Sequence, residues 1–372
     1  MVEVVKVVTK KQQKEFVDFP LKLYKGCPLY VPMLYIDEIK IFGPNATYSE
    51  QADSIFFNAY KDGKMVGRIS GIVQKAANSK WNQNRVRFTR FDSIDDQEVA
   101  DSLFDAVVAW AKTYNLTEMV GPLGYSDLER EGLLIEGFDQ LGTYEEQYNY
   151  EYYAKLIENY GFAKEVDWVE AKMYVPEEKD ERLARVSSLM MKRYDLHIYQ
   201  PKSINKFLKK YSRDLFDIID KTYDRIYGTV PFTDKMAEGL ISSFKLLVKP
   251  SDVCLIMDKN ERVVGFGLMF ASISEIVVKS KGHITLPFIF RFLKAKRHPK
   301  IYDLALIGLL PEYEGKGIAT MVISELIERL RHQDIDHLET NLMLENNHHI
   351  QNLGKNFRRE FNKRRRCYVK EI

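Results

Sequence analysis

The residues best suited to chemistry lie in one run, Leu309-Leu310-Pro311-Glu312-Tyr313-Glu314-Gly315-Lys316-Gly317-Ile318-Ala319-Thr320. An apolar strand ends, a turn with two glycines follows, and a helix bearing Met321, Val322, Leu326, Ile327 and Leu330 begins. Small residues let the backbone approach a ligand closely, and the first turn of a helix offers unpaired N–H groups at the positive end of its dipole. Gly315, Lys316, Gly317, Ile318, Ala319 and Thr320, behind Leu309 and Leu310, therefore read as an anion cradle. A Walker loop needs GxxxxGK followed by Ser or Thr, and Gly317 after Lys316 breaks it. A dinucleotide fingerprint needs a third glycine where Thr320 stands, and no spacer such as Pro311–Glu314.

What remains resembles motif A of the GNAT acyltransferases, Arg/Gln-x-x-Gly-x-Gly/Ala, with Gly317 and Ala319 in the last two required places. The strand before it, the strand His337–Met343, Asn346 ahead of a helix and a basic terminal strand stand where that family has its later motifs. The resemblance implies an acyl-CoA-dependent N-acyltransferase, with acetyl-CoA as the first expectation and no metal. The turn and Asn346 would hold the donor. An amine attacks the thioester directly, so the protein has to orient the donor, polarise its carbonyl and take a proton from an ammonium.

In that family a carboxylate on the fourth strand often serves as base and a tyrosine on the last helix as acid. Asp303 shares a strand face with Ala305, Ile307 and Leu309 by period two, and Glu339 lies on the following strand. Each reads equally well as a solvated strand-start charge or a cross-strand pairing residue. The tyrosine position falls on Leu353. Either Tyr227 or Tyr368 supplies the acid, or thiolate release needs no donor, or the fold only binds its ligand. Glu314 replaces the family's Arg or Gln and brings a carboxylate to the phosphate site, where like charge weakens binding. Lys316 is the expected offset. The basic segment Lys355–Lys370, with Arg358, Arg359, Lys363, Arg364, Arg365 and Arg366 against Glu360, reads as a solvated surface strand in preference to a nucleic-acid or membrane contact, and could add positive charge for the phosphates.

The elements that must position these residues occur twice. At 372 residues the chain exceeds what one core usually organises. Strand, helix, hairpin, strand, helix, strand, helix and strand run to Pro176, and the same order starts again after it. The first hairpin is marked by Asp62-Gly63 between Ile55–Lys61 and Met65–Gln74. The expected fold is α/β, a mixed sheet with flanking helices, in two tandem lobes over 1–176 and 177–372, the second interrupted by an insertion at 272–300. The first lobe has no equivalent cradle, since Asp92-Ser-Ile-Asp95-Asp96-Gln-Glu98 is acidic and lacks glycine. Gly121-Pro122-Leu123, Ser126, Gly132–Phe138, Tyr148–Tyr153 and Gly228–Thr233 are similar to bacterial tandem-GNAT proteins.

Composition bounds the partners. With 55 Lys and Arg against 53 Asp and Glu, the net +2 argues against a general nucleic-acid coat. Cys27, Cys254 and Cys367 are odd in number and widely spaced, the pattern of reduced thiols in a cytoplasmic protein. The N-terminus carries Glu3 and Lys6 where a signal peptide would be apolar, and no apolar run approaches a membrane span, so no integral membrane segment is expected. No HExxH or Cys-x-x-Cys spacing suggests a metal. The acceptor expected is a small-molecule amine. A long-chain or aminoacyl transferase is the alternative for which Tyr144–Tyr160 and Phe288–Phe292 would form a wall. Leu286–Pro299 reads as a short helix, apolar then basic, that lines an acceptor tunnel, rests on a membrane or packs on its own core.

Overall fold

The computed structural model describes residues 1–43 and 46–372. The first half runs β1 (Val2–Lys6), α1 (Lys10–Leu23), α2 (Tyr35–Glu38), β2 (Ala52–Lys61), β3 (Lys64–Gln74), α3 (Lys75–Trp81), β4 (Arg85–Ser93), α4 (Gln97–Lys112), β5 (Glu118–Gly121), β6 (Leu133–Glu136), α5 (Tyr152–Asn159) and β7 (Ala163–Met173). The second runs α6 (Glu181–Tyr194), β8 (Leu196–Tyr199), α7 (Ile204–Tyr223), α8 (Asp234–Leu247), β9 (Val253–Asp258), β10 (Val263–Ala271), α9 (Ser274–Ser280) and α10 (Leu286–Arg297). It ends with β11 (Ile301–Leu309), α11 (Ile318–Glu328), β12 (His337–Thr340), β13 (Met343–Leu344), α12 (His348–Leu353) and β14 (Arg359–Glu371).

Local sequence accounts for the element ends. Thr9 and Gln12 form a reciprocal capping box on α1, and Asp96, Ser203 and Thr285 each accept a backbone N–H at the start of α4, α7 and α10. Asp62 and Gly63 take positive φ at the β2–β3 hairpin, as the turn demands.

One sheet of 14 strands joins the halves in the order β1-β2-β3-β4-β5-β14-β7-β12-β11-β10-β9-β8, with β6 on β14 and β13 on β7. The order is symmetric about the β14–β7 seam. Each half contains one parallel pair, β4–β5 and β11–β12, flanked by antiparallel strands. The terminal strands are exchanged: β14 lies beside β5 of the first half, and β7 lies beside β12 of the second. The chain divides near Pro176, but the sheet does not, because each half lends its last strand to the other. Helices α4 and α11 cover the two halves on separate apolar cores, Val99, Leu103 and Phe104 in one, Val322, Leu326 and Ile327 in the other.

The seam corrects the solvated reading of the basic C-terminal run at Lys363 and Arg365, while Arg358 remains exposed and Arg359 lines the cleft shared by the two halves. Lys363 and Arg365 are buried on β14. Lys363 pairs with Glu170 at 3.1 Å and Glu339 at 3.0 Å, and Arg365 with Glu170 at 2.6 Å and Glu146 at 3.5 Å. Arg366 meets Asp167 at 2.8 Å, Arg364 reaches Glu345 at 3.3 Å, and Arg358 meets Glu360 at 3.0 Å. Buried charge is tolerated only when paired, and register in the exchanged strands supplies the partners.

Candidate functional site

Strands β11 and β12 pair only from Ile301 opposite His337 to Leu304 opposite Thr340. β11 continues to Leu309, so a wedge opens between the two parallel strands. Ala305 is the extra residue of a bulge, since Leu306 pairs with Leu268 and Leu304 with Met269. The free edge is dressed by side chains from both sides of the wedge. The Thr222 hydroxyl donates to the Leu309 carbonyl at 2.9 Å, Tyr223 donates to the Ile307 carbonyl at 3.1 Å, and Asn341 donates to the Ala305 carbonyl at 2.8 Å.

The wedge opens into a cleft of about 1120 Å³ shared by the two halves. One arm is apolar, with Leu240, Phe244 and Leu247 of α8 facing Ile273, Phe288 and Phe292 of the insertion. The opposite wall is acidic and comes from the first half: Asp127, Glu129, Glu131, Glu145 and Glu146. Burial pushes the Asp127 carboxyl up to about 6. Burial also raises Glu129 and Glu145, and it lifts Glu131 and Glu146 well above the carboxylate range. Neighbouring Asp127 and Glu146 add to the shift of Glu131, whereas Arg365 opposes that of Glu146. The Glu131 Oε2 atom is buried without a hydrogen-bond partner among the described residues. Arg90 and Arg130 oppose the shifts of Glu129 and Glu145, but among the described residues no cation stands at ion-pairing distance from Asp127 or Glu131, a place that an ammonium could take.

At the mouth of the wedge, Gly315 and Gly317 have φ of +70° and +76°, and Gly317 caps α11. A Cβ placed at either would meet no atom within 4 Å, so the backbone of the turn is open to a ligand. Ile318 and Ala319 are buried behind it. This geometry fits a pyrophosphate held by backbone N–H groups. Lys316 does not offset Glu314 as expected: its Nζ donates to the Glu312 carbonyl at 2.6 Å and lies 4.9 Å from the Tyr194 ring centre and 5.3 Å from that of Tyr313. Glu314 is exposed and lines the cleft.

The other anticipated residues are only partly brought together. Asp303 and Glu339 sit side by side in register, buried, just behind the point where the strands part, and neither lines the cleft. Neither Asp303 carboxyl oxygen has a partner at full hydrogen-bond geometry among the described residues; burial pushes the group up to about 8, with nearby Ser272 opposing the shift and Glu339 adding to it. Burial also works to raise Glu339, but hydrogen bonds from His337 and Lys363 outweigh it and hold that carboxyl below its ordinary value. The Tyr227 hydroxyl lies 3.4 Å from Glu165 and the ring stacks edge-on against Trp168; Tyr368 lies in the first half's core, its hydroxyl 3.1 Å from Glu158. Neither lines the cleft, nor does Asn346; the helix cap is the neighbouring Asn347, which accepts from the Ile350 N–H. Leu353, at the tyrosine position, faces the cleft as an apolar residue.

Sequence reading missed Tyr223 and the acidic wall. Tyr223 sits at the last turn of an amphipathic helix, indistinguishable from a core aromatic without the β11 edge beside it. Asp127, Glu129 and Glu131 at alternate positions were the available signal for the wall.

A parallel pair splayed beside a glycine turn and a helix N-terminus is the arrangement that the resemblance to GNAT acyltransferases led us to expect. Residues 213–355, which contain all three, match the acetyltransferase (GNAT) family. The match covers the second half of the chain only, and the fold of the whole is that of tandem GNAT proteins. Over its whole length it superposes on a tandem GNAT protein from the clavulanic acid biosynthesis pathway, with a TM-score of 0.57 at 9% identity, covering 100% of this chain and 98% of that one. In sequence it is 26% identical over 386 aligned residues to Protein YghO of Escherichia coli (strain K12), covering 98% of this chain and 94% of that protein. It is 24% identical over 294 residues to a bacterial ceramide synthase of Caulobacter vibrioides, covering 77% of this chain and 73% of that protein.

Proposed function

We propose that the protein is an acyl-CoA-dependent N-acyltransferase that joins a long acyl chain to an amine, acting in the cytoplasm. The observation that carries this reading is the cleft, which combines an apolar arm, an acidic wall and the free edge of β11. Its volume of about 1120 Å³ lies just above the roughly 300–1,000 Å³ typical of small-ligand pockets, more than an acetyl group and an amino acid require. The relative named bacterial ceramide synthase supports the same direction, ceramide being an N-acylated lipid amine. Acetyl transfer to a small amine shares the cradle and the chemistry but leaves the apolar arm unexplained.

The acceptor enters as an ammonium drawn to the acidic wall. Asp127, poised near 6, is ionised at neutral pH and takes its proton. The amine nitrogen then forms a bond to the thioester carbonyl carbon, the carbon–sulfur bond breaks, and the thiolate leaves. Tyr223, kept protonated by burial beside the β11 edge, gives its proton to the sulfur and recovers one from the attacking nitrogen, so that a neutral amide and a free thiol leave and Asp127 holds the ammonium's first proton. Asp303 and Glu339 reach the wall through Lys363, Glu170, Arg365 and Glu146, and act by holding that charge chain in place.

Release of free CoA thiol from acetyl-, octanoyl- and palmitoyl-CoA, each with an amino acid or a long-chain amine, tests the reading. Palmitoyl-CoA with the long-chain amine is expected to be at least about tenfold better, the scale of a few buried methylenes. Preference for acetyl-CoA and the amino acid would restore the small-acceptor acetyltransferase. Asp127→Asn should lower kcat/KM by about 10²-fold or more. A loss confined to Asp303→Asn would instead move the base to β11. Thermal stabilisation by CoA with no thiol release from any pair would favour a ligand-binding role, the reading that Glu314 and Leu353 support.

A further inference from the structure

The insertion breaks the usual rule for a helix on a protein surface. Only the inner side of α10 packs: Phe288, Phe292 and Ala295 join Val31 and Leu34 of the first half and Ile276 and Val277 of α9. The outer side is apolar as well. Leu286 and Phe290 are 73% and 71% exposed, and Ile289 and Leu293 nearly half exposed. Leu286, Phe290 and Leu293 stand at i, i+4 and i+7, one continuous ridge along the helix. A solvent-facing helix normally carries polar residues there, and a contiguous exposed apolar patch marks an interaction site.

Charge identifies the partner. Helix α10 carries Arg291, Lys294, Lys296 and Arg297 and no acid. Lys296 is turned inward to the Leu246 carbonyl at 2.6 Å. Among the described residues, Arg291, Lys294, Arg297 and the nearby Lys281 have no carboxylate at ion-pairing distance; Lys279 is engaged by Glu275 at 3.0 Å. An apolar ridge bordered by unpaired cations complements the interface of an anionic bilayer, where apolar side chains enter the acyl boundary and cations meet headgroup phosphates.

Position adds a third argument. Ile36, Leu246 and Ile284 are about half exposed and also line the cleft, so the apolar surface runs from the ridge into the cleft mouth. The Tyr35 N–H donates to the Gly282 carbonyl at 2.9 Å, and a Cβ at Gly282 would lie 2.3 Å from the Met33 carbonyl oxygen. The insertion is therefore seated tightly on the first half, and its ridge is held at the mouth. Among the described residues no helix is long and apolar enough to cross a membrane. We infer that α10 docks the protein on an anionic lipid bilayer with the cleft mouth facing the lipid.

The test is flotation of the full chain with phosphatidylcholine vesicles and with vesicles containing phosphatidylglycerol, at low and high salt. The protein should partition at least about tenfold more strongly to the anionic vesicles, less so at high salt. Leu286→Glu with Phe290→Glu should abolish binding to both. Lys294→Glu with Arg297→Glu should remove the preference for phosphatidylglycerol. All four side chains are exposed, so an unchanged melting temperature identifies variants that remain folded. Absence of binding to either vesicle, or binding indifferent to both double variants, overturns the inference. A concentration-dependent dimer abolished by Phe290→Glu, without vesicle binding, also overturns it and assigns the ridge to a second copy. No acyl donor is present in this assay, so its failure is separable from failure of the acyltransferase reading.

Discussion

The two parallel pairs, β4–β5 and β11–β12, share a register and diverge where their strands part. Arg87 lies opposite Val120 in one, and Asp303 opposite Glu339 in the other. In the first half the wedge is filled. Arg87 donates to the carbonyls of Gly124 and Gly228, both at 3.0 Å. Ser93 donates its N–H to the Tyr153 hydroxyl at 3.1 Å and accepts from Tyr152 at 2.7 Å, so α5 covers the strand end that Thr222 and Tyr223 of α7 cover in β11. The N-terminus of α4 is satisfied by Asp96, which Lys61 also pairs at 2.6 Å. In the second half two glycines leave the helix end open and Leu353 offers no hydroxyl to the edge. One topology thus yields a structural lobe or a ligand site according to which side chains enter the splay.

The strongest way to break this contrast is to remove the plug. Tyr153 is fully buried, packs edge-on against Phe91, and hydrogen-bonds Tyr24 as well as Ser93. Tyr153→Ala should cost about 3–5 kcal/mol in denaturant unfolding, the range for large aromatic truncations. Stabilisation of the folded fraction by CoA should survive it. A cost under about 1 kcal/mol, as for a surface change, would show that the first wedge is not held by its plug.

The corner residues sharpen the comparison at the next scale. Asp303 is pushed up to about 8 in the folded protein, against about 4 in an unfolded chain. Between those values the native state holds a proton that the unfolded state has lost, so the group's contribution to stability falls as pH rises through that window. Asp303→Asn mimics the protonated form and should flatten the loss of stability between pH 6 and pH 8 by about 2 kcal/mol. Denaturant midpoints at the two pH values check this. An unchanged slope would mean that the carboxyl is ionised in the fold.

The second wedge was legible because strand, glycine turn and amphipathic helix are contiguous, and Gly315 and Gly317 adopt the positive φ that the spacing implies. The hairpin at Asp62-Gly63 and the duplicated element order were visible for the same reason. Everything missed depends on pairing between distant segments. Lys363 and Arg365 read as solvated because their partners Glu170 and Glu339 become neighbours only through the strand exchange. The sequence left three settings open for α10 because its period matches a buried face as well as an exposed one; Phe288 and Phe292 set the packed face. Asp127, Glu129 and Glu131 alternate in the sequence, but the raised carboxyl of Asp127 comes from burial, which that alternation alone does not specify.

Glu314 gives the smallest expected effect and bears on how far the open cradle is tuned for phosphate. It stands exposed at the cleft rim, one residue before the first positive-φ glycine, and Lys316 is held away from it by the Glu312 carbonyl and two aromatic rings. A carboxylate there opposes the favourable end of the α11 dipole. Glu314→Gln removes the charge at nearly constant shape and should tighten CoA binding by about two- to fivefold, the usual size of a surface charge near a helix end. Screening should shrink the gain at high salt. Titration of CoA into both proteins at two ionic strengths checks it. If affinity is unchanged at low salt, Glu314 points away from the phosphates and the backbone N–H groups alone set the binding; if it weakens, the side chain contributes a contact to the ligand.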